Sequence, residues 1–501
     1  MTTIPVDARE RRLFYVMLAA FTLLRMAIAA FVPLSGDEAY YWSCSRFVDW
    51  SYFDQPPVVI WLMIPFRMLF GETGLAVRMP AILASLGIGL ILPHLVRRLG
   101  GTMREATTAY LWMCAMPMFV IGSFYVSTDI MMAAFFMAAT WAAVAIAQGE
   151  RRAWWGFGLA IGFAFLSKFP GVLVLPAILA ALASPSARKD LKTPTPWLAG
   201  LVAFVITTPV WIWAAQHDWA NIEFQLSKRH DVHAVSLKYI GEFAAANLLL
   251  AGPLLAIAFI PAWWRAVKRR DPAWLAIAVA AATPFVAFSL VALRERIGAH
   301  WGAPGLILLA LLFALDRGEQ PRRKLAIASG LFAGALGAAA ITVAIFPGLV
   351  LDRDWTYPGR PNRISTKSLA SAFGNDELLA RVEAVRRPDE LVASESYTVV
   401  HVLGFLSKGT LPIVLGDTAG GDHGLASLYW MTPEELRGRN VLFVSKHKYS
   451  PEPELRKRFE TVEELPPIDL MRNGELVRRF VVFRCTNLLR PEKAFTLIPA
   501  K

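Results

Sequence analysis

Long apolar segments repeat along most of the chain, and they constrain its fold more than any other feature. The 501 residues are 55% hydrophobic and only 18% charged, and the mean hydropathy is +0.44. A helix needs roughly 20 mostly apolar residues to cross a bilayer. Windows of that length between charged breaks predict about eleven spanning helices. They lie near residues 13–34, 76–96, 105–125, 129–147, 153–167, 171–184, 196–215, 242–263, 273–293, 300–315 and 325–347.

The pattern changes after residue 350, where charge rises and no window is long enough to span a membrane. Short apolar runs, as at 399–406 and 441–444, alternate there with segments of helical pattern, which is typical of an α/β domain. The predicted fold class is therefore a polytopic α-helical membrane protein with a C-terminal soluble α/β domain. We expect the transmembrane domain over residues 1–349 and the soluble domain over residues 350–501.

Lysine and arginine are concentrated in alternate loops, as the positive-inside rule expects. With a cytoplasmic N-terminus and eleven spans, the loop over residues 35–75 and the C-terminal domain are predicted to lie on the outer side of the membrane. The net charge of +12 follows from this topology and does not indicate nucleic-acid binding. The first helix is predicted to stay as an anchor rather than to be cleaved as a signal peptide, because its apolar run is long and Arg25 interrupts it.

Carboxylates collect at the predicted outer face. Asp37 and Glu38 follow the first span, Asp54 lies in Tyr-Phe-Asp-Gln-Pro-Pro, and Asp129 begins a later span in Val-Ser-Thr-Asp-Ile. Acids in the first turn of a helix can simply stabilise its dipole, and that interpretation would suffice for an isolated pair. Several acids on one face, among cations, instead indicate a reaction on a lipid-phosphate substrate.

Basic residues in loops that should be poor in them are candidate phosphate ligands. Lys168 is the strongest candidate, because it lies between two apolar runs in Phe-Leu-Ser-Lys-Phe-Pro-Gly. Arg25, inside the first span, could pair with an acid or reach a phosphate. For the other cations, snorkelling to ordinary lipid headgroups is an alternative. These are Arg78, Lys228, Arg229, Arg294 and Arg296.

Aromatic and histidine side chains leave alternatives open. Most Trp and Tyr residues near the outer loops are expected to form an interfacial belt, but Tyr40 and Tyr52 adjoin the acids and could stack on a sugar. Three histidines in one loop could bind a metal, although a long polar loop collects such residues anyway. They are His217, His230 and His233.

At these residues the sequence resembles the GT-C glycosyltransferases. The branch it resembles holds the bacterial relatives of protein O-mannosyltransferases and of the aminoarabinose transferase that modifies lipid A. The resemblance covers about residues 10–315, and its specificity lies in the order of short motifs. In chain order they are Asp37-Glu38, Tyr52 to Pro56, Arg78-Met79-Pro80, Ser127-Thr128-Asp129, Leu166-Ser167-Lys168 and His300 to Pro304.

The resemblance implies transfer of a sugar, with inversion, from a polyprenyl-phosphate carrier to an acceptor outside the membrane. It implies that Asp37 is the catalytic residue. It also implies that Asp37 and Asp54 are candidate ligands of a divalent metal ion, Mg²⁺ or Mn²⁺, although carboxylates can equally work without a metal. Gln55 stands where the aminoarabinose branch has Lys, so Lys168 or an outer arginine is expected to contact the carrier phosphate. The expected substrate-binding residues are Glu38, Tyr40, Tyr52, Asp54, Arg78, Asp129, Lys168, Arg229, Arg296 and His300.

The chemistry fits these residue types. Attack of an acceptor hydroxyl on the anomeric carbon needs a base, and a carboxylate can serve. A phosphate leaving group needs electrostatic stabilisation more than protonation. The partners that the resemblance implies are a polyprenyl-phosphate sugar, a glycolipid or glycan acceptor and membrane lipid, with lipid A or core lipopolysaccharide favoured as the acceptor. The resemblance also implies a bacterial inner membrane, with the loop over residues 35–75 and the C-terminal domain in the periplasm. The C-terminal tail, in which Ser394-Glu395-Ser396-Tyr397 precedes an apolar run, is predicted to cap the acceptor site.

Three alternatives remain at the level of the sequence. The first is a protein O-mannosyltransferase-like enzyme, which shares the predicted architecture. The second is a transporter or flippase for a lipid-linked sugar; transporters carry ionisable residues at the bilayer midplane and an internal repeat. The third is a scaffold that binds a partner through its tail, which would leave the Asp-Glu loop without a function.

Overall fold

The computed structural model describes residues 8–228, 235–316, 322–346, 374–416, 424–446, 451–472 and 475–491. The chain forms two compact units. The first unit comprises Met1–Ala30, Gln55–Leu62 and Arg78–Ala339, and the second comprises Phe31–Asp54, Met63–Val77 and Ala340–Lys501. Most of the loop predicted to be catalytic therefore groups with the C-terminal domain. The predicted boundary at 349 and 350 lies outside the described residues and stays a prediction.

The chain before residue 346 is almost entirely helical, as the apolar windows predict. In chain order the α-helices are α1 (Ala8–Phe31), α2 (Gly36–Cys44), α3 (Val58–Phe70), α4 (Gly74–Arg98), α5 (Met103–Cys114), α6 (Pro117–Gly122), α7 (Thr128–Ala147), α8 (Ala153–Ser167), α9 (Pro176–Ala181), α10 (Pro185–Asp190), α11 (Pro194–Gln216), α12 (Ala220–Glu223), α13 (Leu237–Ala251), α14 (Pro253–Lys268), α15 (Pro272–Val291), α16 (Ala303–Leu315) and α17 (Arg322–Ile345). Short 3₁₀ helices at Phe169–Val174 and Ala299–Gly302 precede α9 and α16.

Among the described residues, five helices are both long and apolar enough to cross a membrane, namely α1, α4, α7, α11 and α15. A sixth candidate is the pair Leu237–Ala251 and Leu255–Lys268, which is bent by 99°. The multi-pass character is confirmed, whereas the count of eleven spans is not. Several predicted spans are shorter apolar helices, such as Ala153–Ser167, Phe169–Ala181 and Ala299–Leu315.

Helix α7 lies at the core of the first unit. It is buried along almost its whole length and packs against α8, α15 and α16. Its many alanines allow this, because small side chains let helix backbones approach closely. In the neighbouring pair α8 and α11, a Cβ added to Gly158 would lie 2.3 Å from the carbonyl oxygen of Ala199. This contact therefore requires glycine.

The second unit contains a five-stranded mixed sheet in the order β2-β1-β3-β5-β4. Strands β1 and β2 are parallel, as are β1 and β3, while β5 is antiparallel to both β3 and β4. The strands are β1 (Glu390–Ser394), β2 (Ile413–Leu415), β3 (Asn440–Lys446), β4 (Phe459–Arg472) and β5 (Glu475–Leu488). The helices of this region are α18 (Asn375–Val385), α19 (Tyr397–Leu406), α20 (Pro433–Leu436) and α21 (Glu452–Arg458).

Two apolar cores cover the two faces of this sheet. Phe443 and Leu455 belong to one core, whereas Leu442 and Leu403 belong to the other. Strand β1 is accordingly buried at every position, as parallel strands with both faces covered usually are. The predicted C-terminal α/β arrangement is therefore present. Since β1 is joined through α19 to β2 on one side and pairs with β3 on the other, the carboxyl ends of β1 and β3 flank a topological switch point.

Helix α2, from the first loop, packs on α19 within the same unit. The indole of Trp42 donates a hydrogen bond to Glu72, which also pairs with Arg67. Burial alone would raise the pKa of Glu72, but these hydrogen bonds lower it below its ordinary value. The ring of Phe47 stacks on Trp430 with their centroids 4.3 Å apart. These contacts fix the segment that carries Asp37.

Candidate active site

Asp37 lies in the first turn of α2, and a capping box explains why the helix starts there. Ser35 accepts the backbone N–H of Glu38, and the Glu38 carboxylate accepts the backbone N–H of Ser35 at 3.0 Å. Glu38 is fully buried. It therefore has a structural function at the helix start, and the predicted contact of Glu38 with substrate is not supported by this position.

The carboxylate of Asp37 is held from the C-terminal domain. The hydroxyl of Tyr397, the first residue of α19, donates a hydrogen bond to Asp37 Oδ1 at 2.6 Å. The two helices meet closely at this point, because a Cβ on Gly36 would lie 2.5 Å from Thr398 Cγ2. In the Ser-Gly-Asp-Glu run, Ser35 thus caps the helix, Gly36 allows α19 to approach closely, and Asp37 carries the carboxylate.

Asp54 is 6% exposed and binds hydrogen-bond donors through both carboxylate oxygens. Tyr40 donates to Oδ1 at 2.6 Å, and the backbone N–H groups of Gly424 and Leu425 donate to Oδ2 at 2.9 and 3.3 Å. Burial, followed by the nearby Asp54 charge, raises the pKa of Tyr40 well above its ordinary value. Asp54 therefore anchors the turn that begins at Gly424.

Gly424 connects Asp54 to the partner of Asp37. Its φ is +81°, a conformation that favours glycine. A Cβ at this position would lie 2.4 Å from the Cβ of Tyr397. The Tyr397 ring also packs edge-on against Tyr40, with centroids 6.1 Å apart. Asp54, Gly424 and Tyr40 thus fix the ring whose hydroxyl contacts Asp37.

The tyrosines predicted to stack on a sugar do not present a free face here. Tyr40 is 3% exposed and Tyr52 is 2% exposed. The hydroxyl of Tyr52 donates to the carbonyl oxygens of Cys44 and Phe47, and burial raises the pKa of Tyr52. Both side chains hold the loop together, so the stacking prediction is not supported.

A second polar cluster lies in the first unit. Lys168 Nζ donates to Asp129 Oδ1 at 2.7 Å, and His300 Nε2 lies 3.6 Å from Asp129 Oδ2. Asp129 begins α7, Lys168 ends α8 and His300 is in the 3₁₀ helix before α16. The Lys168 ammonium also lies 5.0 Å from the centre of the Trp301 ring. The structure thus brings together three predicted residues from separate segments.

The predicted arginines have separate environments. Arg78 is 1% exposed and donates to the carbonyl oxygen of Ala29 at 3.0 Å. Arg296 is exposed and pairs with Glu242 at 3.1 Å. Arg229 lies outside the described residues, as do His230 and His233 among the predicted metal ligands.

Arg25 has no acid within ion-pair distance among the described residues. It donates to the hydroxyls of Ser123 and Tyr110, at 2.7 and 2.9 Å. Its guanidinium also lies within 6 Å of the rings of Phe21 and Phe119. These hydrogen bonds and ring contacts stabilise the buried Arg25 cation within the first unit, and none of them involves a carboxylate.

A metal ion at Asp37 and Asp54 finds little support in this geometry. In the described part of the chain, no three His, Cys, Asp or Glu side chains are arranged to hold a metal ion. Both oxygens of Asp54 already accept hydrogen bonds. We therefore assign no step to a metal, and the predicted Mg²⁺ or Mn²⁺ stays a prediction.

Tyr397 and Gly424 were not identified from the sequence as partners of the two acids. The Ser-Glu-Ser-Tyr run did draw attention to the position of Tyr397, whereas nothing in the sequence analysis singled out Gly424. The run does not show which side chain Tyr397 contacts, since Tyr397 and Asp37 are 360 residues apart.

Known proteins resemble both the sequence and the fold. The family model described as dolichyl-phosphate-mannose-protein mannosyltransferase matches residues 54–213. The lipid A galacturonosyltransferase RgtD of Rhizobium johnstonii is 28% identical over 258 residues, which is 50% of this chain and 54% of that protein. The undecaprenyl phosphate-α-4-amino-4-deoxy-L-arabinose arabinosyl transferase 1 of Sodalis glossinidius is 28% identical over 302 residues, 52% of each chain. The chain thus spans about half the length of the curated relatives it matches.

The fold matches over nearly the whole chain. The crystal structure of ArnT from Cupriavidus metallidurans bound to undecaprenyl phosphate superposes with a TM-score of 0.68. It covers 94% of this chain and 97% of that one at 17% sequence identity. The molecule therefore has the fold of ArnT. The resemblance to membrane glycosyltransferases predicted from the motifs is confirmed by these matches in sequence and fold.

Proposed function

We propose that this chain is a multi-pass glycosyltransferase of the bacterial inner membrane. It transfers a sugar from a polyprenyl-phosphate carrier to lipid A or core lipopolysaccharide. The ArnT fold supports the class of enzyme, and relatives named for lipid A galacturonosyl transfer and for undecaprenyl-phosphate-linked aminoarabinose support the substrates. We further propose about eleven spans, with the Asp37 loop and the C-terminal domain in the periplasm.

The observation that carries this proposal is the position of Asp37. This carboxylate lies six residues beyond the end of α1, in the first turn of α2, with one oxygen held by Tyr397 at 2.6 Å. A base must be oriented toward the proton that it accepts. A short hydrogen bond from a ring that is itself packed between Gly424 and Tyr40 supplies such an orientation.

In the proposed reaction, Asp37 accepts the proton of an acceptor hydroxyl while that oxygen bonds to the anomeric carbon. The bond between the anomeric carbon and the phosphate oxygen breaks, and its electron pair leaves with the polyprenyl phosphate. Because the acceptor attacks opposite to the leaving group, the anomeric configuration inverts. The transferred sugar is an aldopentose, a uronic acid such as galacturonate, or a hexose.

In the first unit, we assign Lys168 to the carrier phosphate. Its ammonium is ordered by Asp129 and lies over the Trp301 ring, so little conformational freedom would be lost on binding a phosphate. Asp129 and His300 orient it, rather than contact the sugar, in this proposal. Preorganised cations are the groups that stabilise charge on a departing phosphate.

The test is mass spectrometry of lipid A, core oligosaccharide and polyprenyl-phosphate sugars in cells that lack this protein. These cells would be complemented with wild type, with Asp37→Asn or with the matched control Asp49→Asn from the same loop. We expect one sugar to be missing in the deletion strain and its carrier-linked form to accumulate. Wild type and the Asp49→Asn variant should restore the missing sugar. The Asp37→Asn variant should transfer this sugar about 10²–10⁴-fold more slowly than wild type.

Full complementation by Asp37→Asn would remove Asp37 as the base and favour a lipid-linked sugar transporter. Unchanged lipid A and core oligosaccharide, with an altered glycan elsewhere, would move the acceptor to a protein or another polymer. Immunoblots of membrane fractions would establish that each variant inserts at the same level.

A further inference from the structure

The carboxyl ends of β1 and β3 carry polar side chains that the proposed reaction has not used. Glu395 directly follows β1, Lys446 is the last residue of β3, and Thr398 lies in the first turn of α19. The backbone N–H of Lys446 donates to Glu395 Oε1 at 2.7 Å, which joins the two strand ends. Ligands in open α/β sheets bind outside the carboxyl ends of strands at a switch point, which is where these residues lie.

Lys446 is a partly buried cation without an acidic partner in ion-pair distance among the described residues. Its Nζ donates to the Thr398 hydroxyl at 3.1 Å. Burial, and then the nearby Arg478, lower the pKa of Lys446 below its ordinary value, and the charge of Glu395 opposes this shift only in part. A partly buried ammonium bound to a neutral hydroxyl favours an anion as an additional ligand.

Glu395 is 9% exposed, and within the described ranges its Oε2 has no hydrogen-bond partner. Burial raises the pKa of Glu395 above its ordinary value. This shift favours the neutral carboxyl group, which repels an anion less than a carboxylate does. The N-terminus of helix α19 also favours a nearby anion, because the Ser396 side chain does not cap its first backbone N–H groups.

This cluster is adjacent to the Asp37 segment within the second unit. Thr398, the partner of Lys446, contacts Gly36, and the preceding Tyr397 donates to Asp37. An anionic group held by Lys446 would therefore belong to a molecule that also passes close to Asp37.

We propose that Lys446 and Thr398, beside Glu395, form a subsite for a phosphate group of one of the two substrates. This inference rests on the proposed function, in which Asp37 is the base. The phosphate belongs to the acceptor glycolipid or to the polyprenyl carrier, and in the second case Lys446 would replace Lys168 as its ligand.

The test measures binding, so that its outcome does not depend on turnover. The full-length protein, purified in detergent, is titrated separately with undecaprenyl phosphate and with lipid A, and its thermal stabilisation gives an apparent affinity for each. Lys446→Met is compared with Lys446→Arg, which keeps the charge. The matched control is Lys457→Met on α21, where an exposed lysine pairs only along its own helix with Glu454.

We expect Lys446→Met to weaken binding of one of the two lipids by about 10–100-fold, which is the effect of losing one charge-assisted hydrogen bond. Lys446→Arg should recover at least part of this loss, and Lys457→Met should match wild type. The lipid whose affinity falls identifies the source of the phosphate.

Unchanged affinity for both lipids in Lys446→Met, with wild-type thermal stability of the free protein, would overturn the subsite. An equal loss for Lys446→Met and Lys457→Met would also overturn it, since it would show a general charge effect. Lys446-dependent binding in a protein whose Asp37→Asn variant keeps full activity would leave the subsite standing and reject the proposed base.

Discussion

At the scale of single residues, Tyr397 determines how Asp37 is presented. Its hydroxyl bonds one carboxylate oxygen, while its ring is confined by Gly424 and Tyr40. Gly424 in turn donates its backbone N–H to Asp54. Asp54 therefore influences the orientation of Asp37 indirectly, through Gly424 and Tyr397. This gives the buried Asp54 a function that requires neither a metal nor a substrate.

Tyr397→Phe should lower kcat by about 10-fold, because it removes one hydrogen bond to a charged group. The KM values for donor and acceptor should stay within about twofold, because the ring and its packing remain. Steady-state kinetics with purified protein in lipid vesicles would measure both. Tyr429→Phe, at an exposed tyrosine stacked on Phe53, is the control. A raised KM with normal kcat would show that Tyr397 binds substrate instead of positioning the base.

The sequence predicted the acids and Lys168 as candidates but not their partners. Asp129, Lys168 and His300 were predicted as separate candidates, and the structure brings them together at the start of α7, the end of α8 and just before α16. Tyr40, Tyr52 and Glu38 are buried and hydrogen-bonded, and their contact with substrate stays a prediction. Their aromatic or acidic character is visible in the sequence, whereas burial depends on residues hundreds of positions away.

At the scale of elements, the packing of α2 on α19 joins the Asp37 loop to the sheet. His401, on α19, is fully buried, and its Nδ1 lies 2.9 Å from the Ser43 hydroxyl on α2. The centroids of the Tyr40 and Trp430 rings lie 5.1 and 5.7 Å from the centroid of the His401 ring. Burial lowers the pKa of His401 to about 3, so this contact contains a neutral imidazole.

Acid should therefore weaken the packing of α2 on α19. Between pH 6.5 and about 3 the unfolded chain binds a proton at His401 that the folded chain does not. The stabilisation is thus complete above the unfolded pKa, and it is lost by up to about 1.4 kcal/mol per pH unit as the pH falls toward the folded value. Thermal unfolding from pH 7.5 to 4.5 would measure the slope for wild type and for His401→Asn.

The His401→Asn variant should show a flatter dependence on pH than wild type, although it is less stable at neutral pH. Equal slopes for the two proteins would mean that another group titrates in this range. The other charged groups of the unit are the same in both proteins, so the difference between slopes isolates the imidazole.

The elements themselves were predictable to different degrees. Hydropathy identified α1, α4, α7, α11 and α15 because each is long and uniformly apolar. The window at 171–184 instead contains a 3₁₀ helix and the short α9, because prolines interrupt the backbone hydrogen bonds. The sheet order could not be read from the sequence, since β1 pairs with both β2 and β3 through contacts that no local pattern encodes.

At the scale of the whole molecule, the distribution of basic residues predicts which parts of the chain face the periplasm. Cysteine labelling can test this in a protein that carries Cys114→Ala, because Cys44 and Cys485 are buried whereas Cys114 is half-buried. Lys457→Cys, on the exposed surface of α21, should react with a membrane-impermeant maleimide in intact spheroplasts. Arg104→Cys, at the start of α5, should react only after lysis. The reverse pattern would invert the proposed topology and place Asp37 in the cytoplasm.

The grouping of the first loop with the C-terminal sheet has a consequence for synthesis. Asp37 leaves the ribosome early, but the tyrosine that orients it is made 360 residues later. At about 5–20 residues per second, this interval is roughly 20–70 s. A nascent chain of this protein therefore holds its proposed base without its orienting partner for most of its assembly, and catalytic competence arises only as the last quarter of the chain folds.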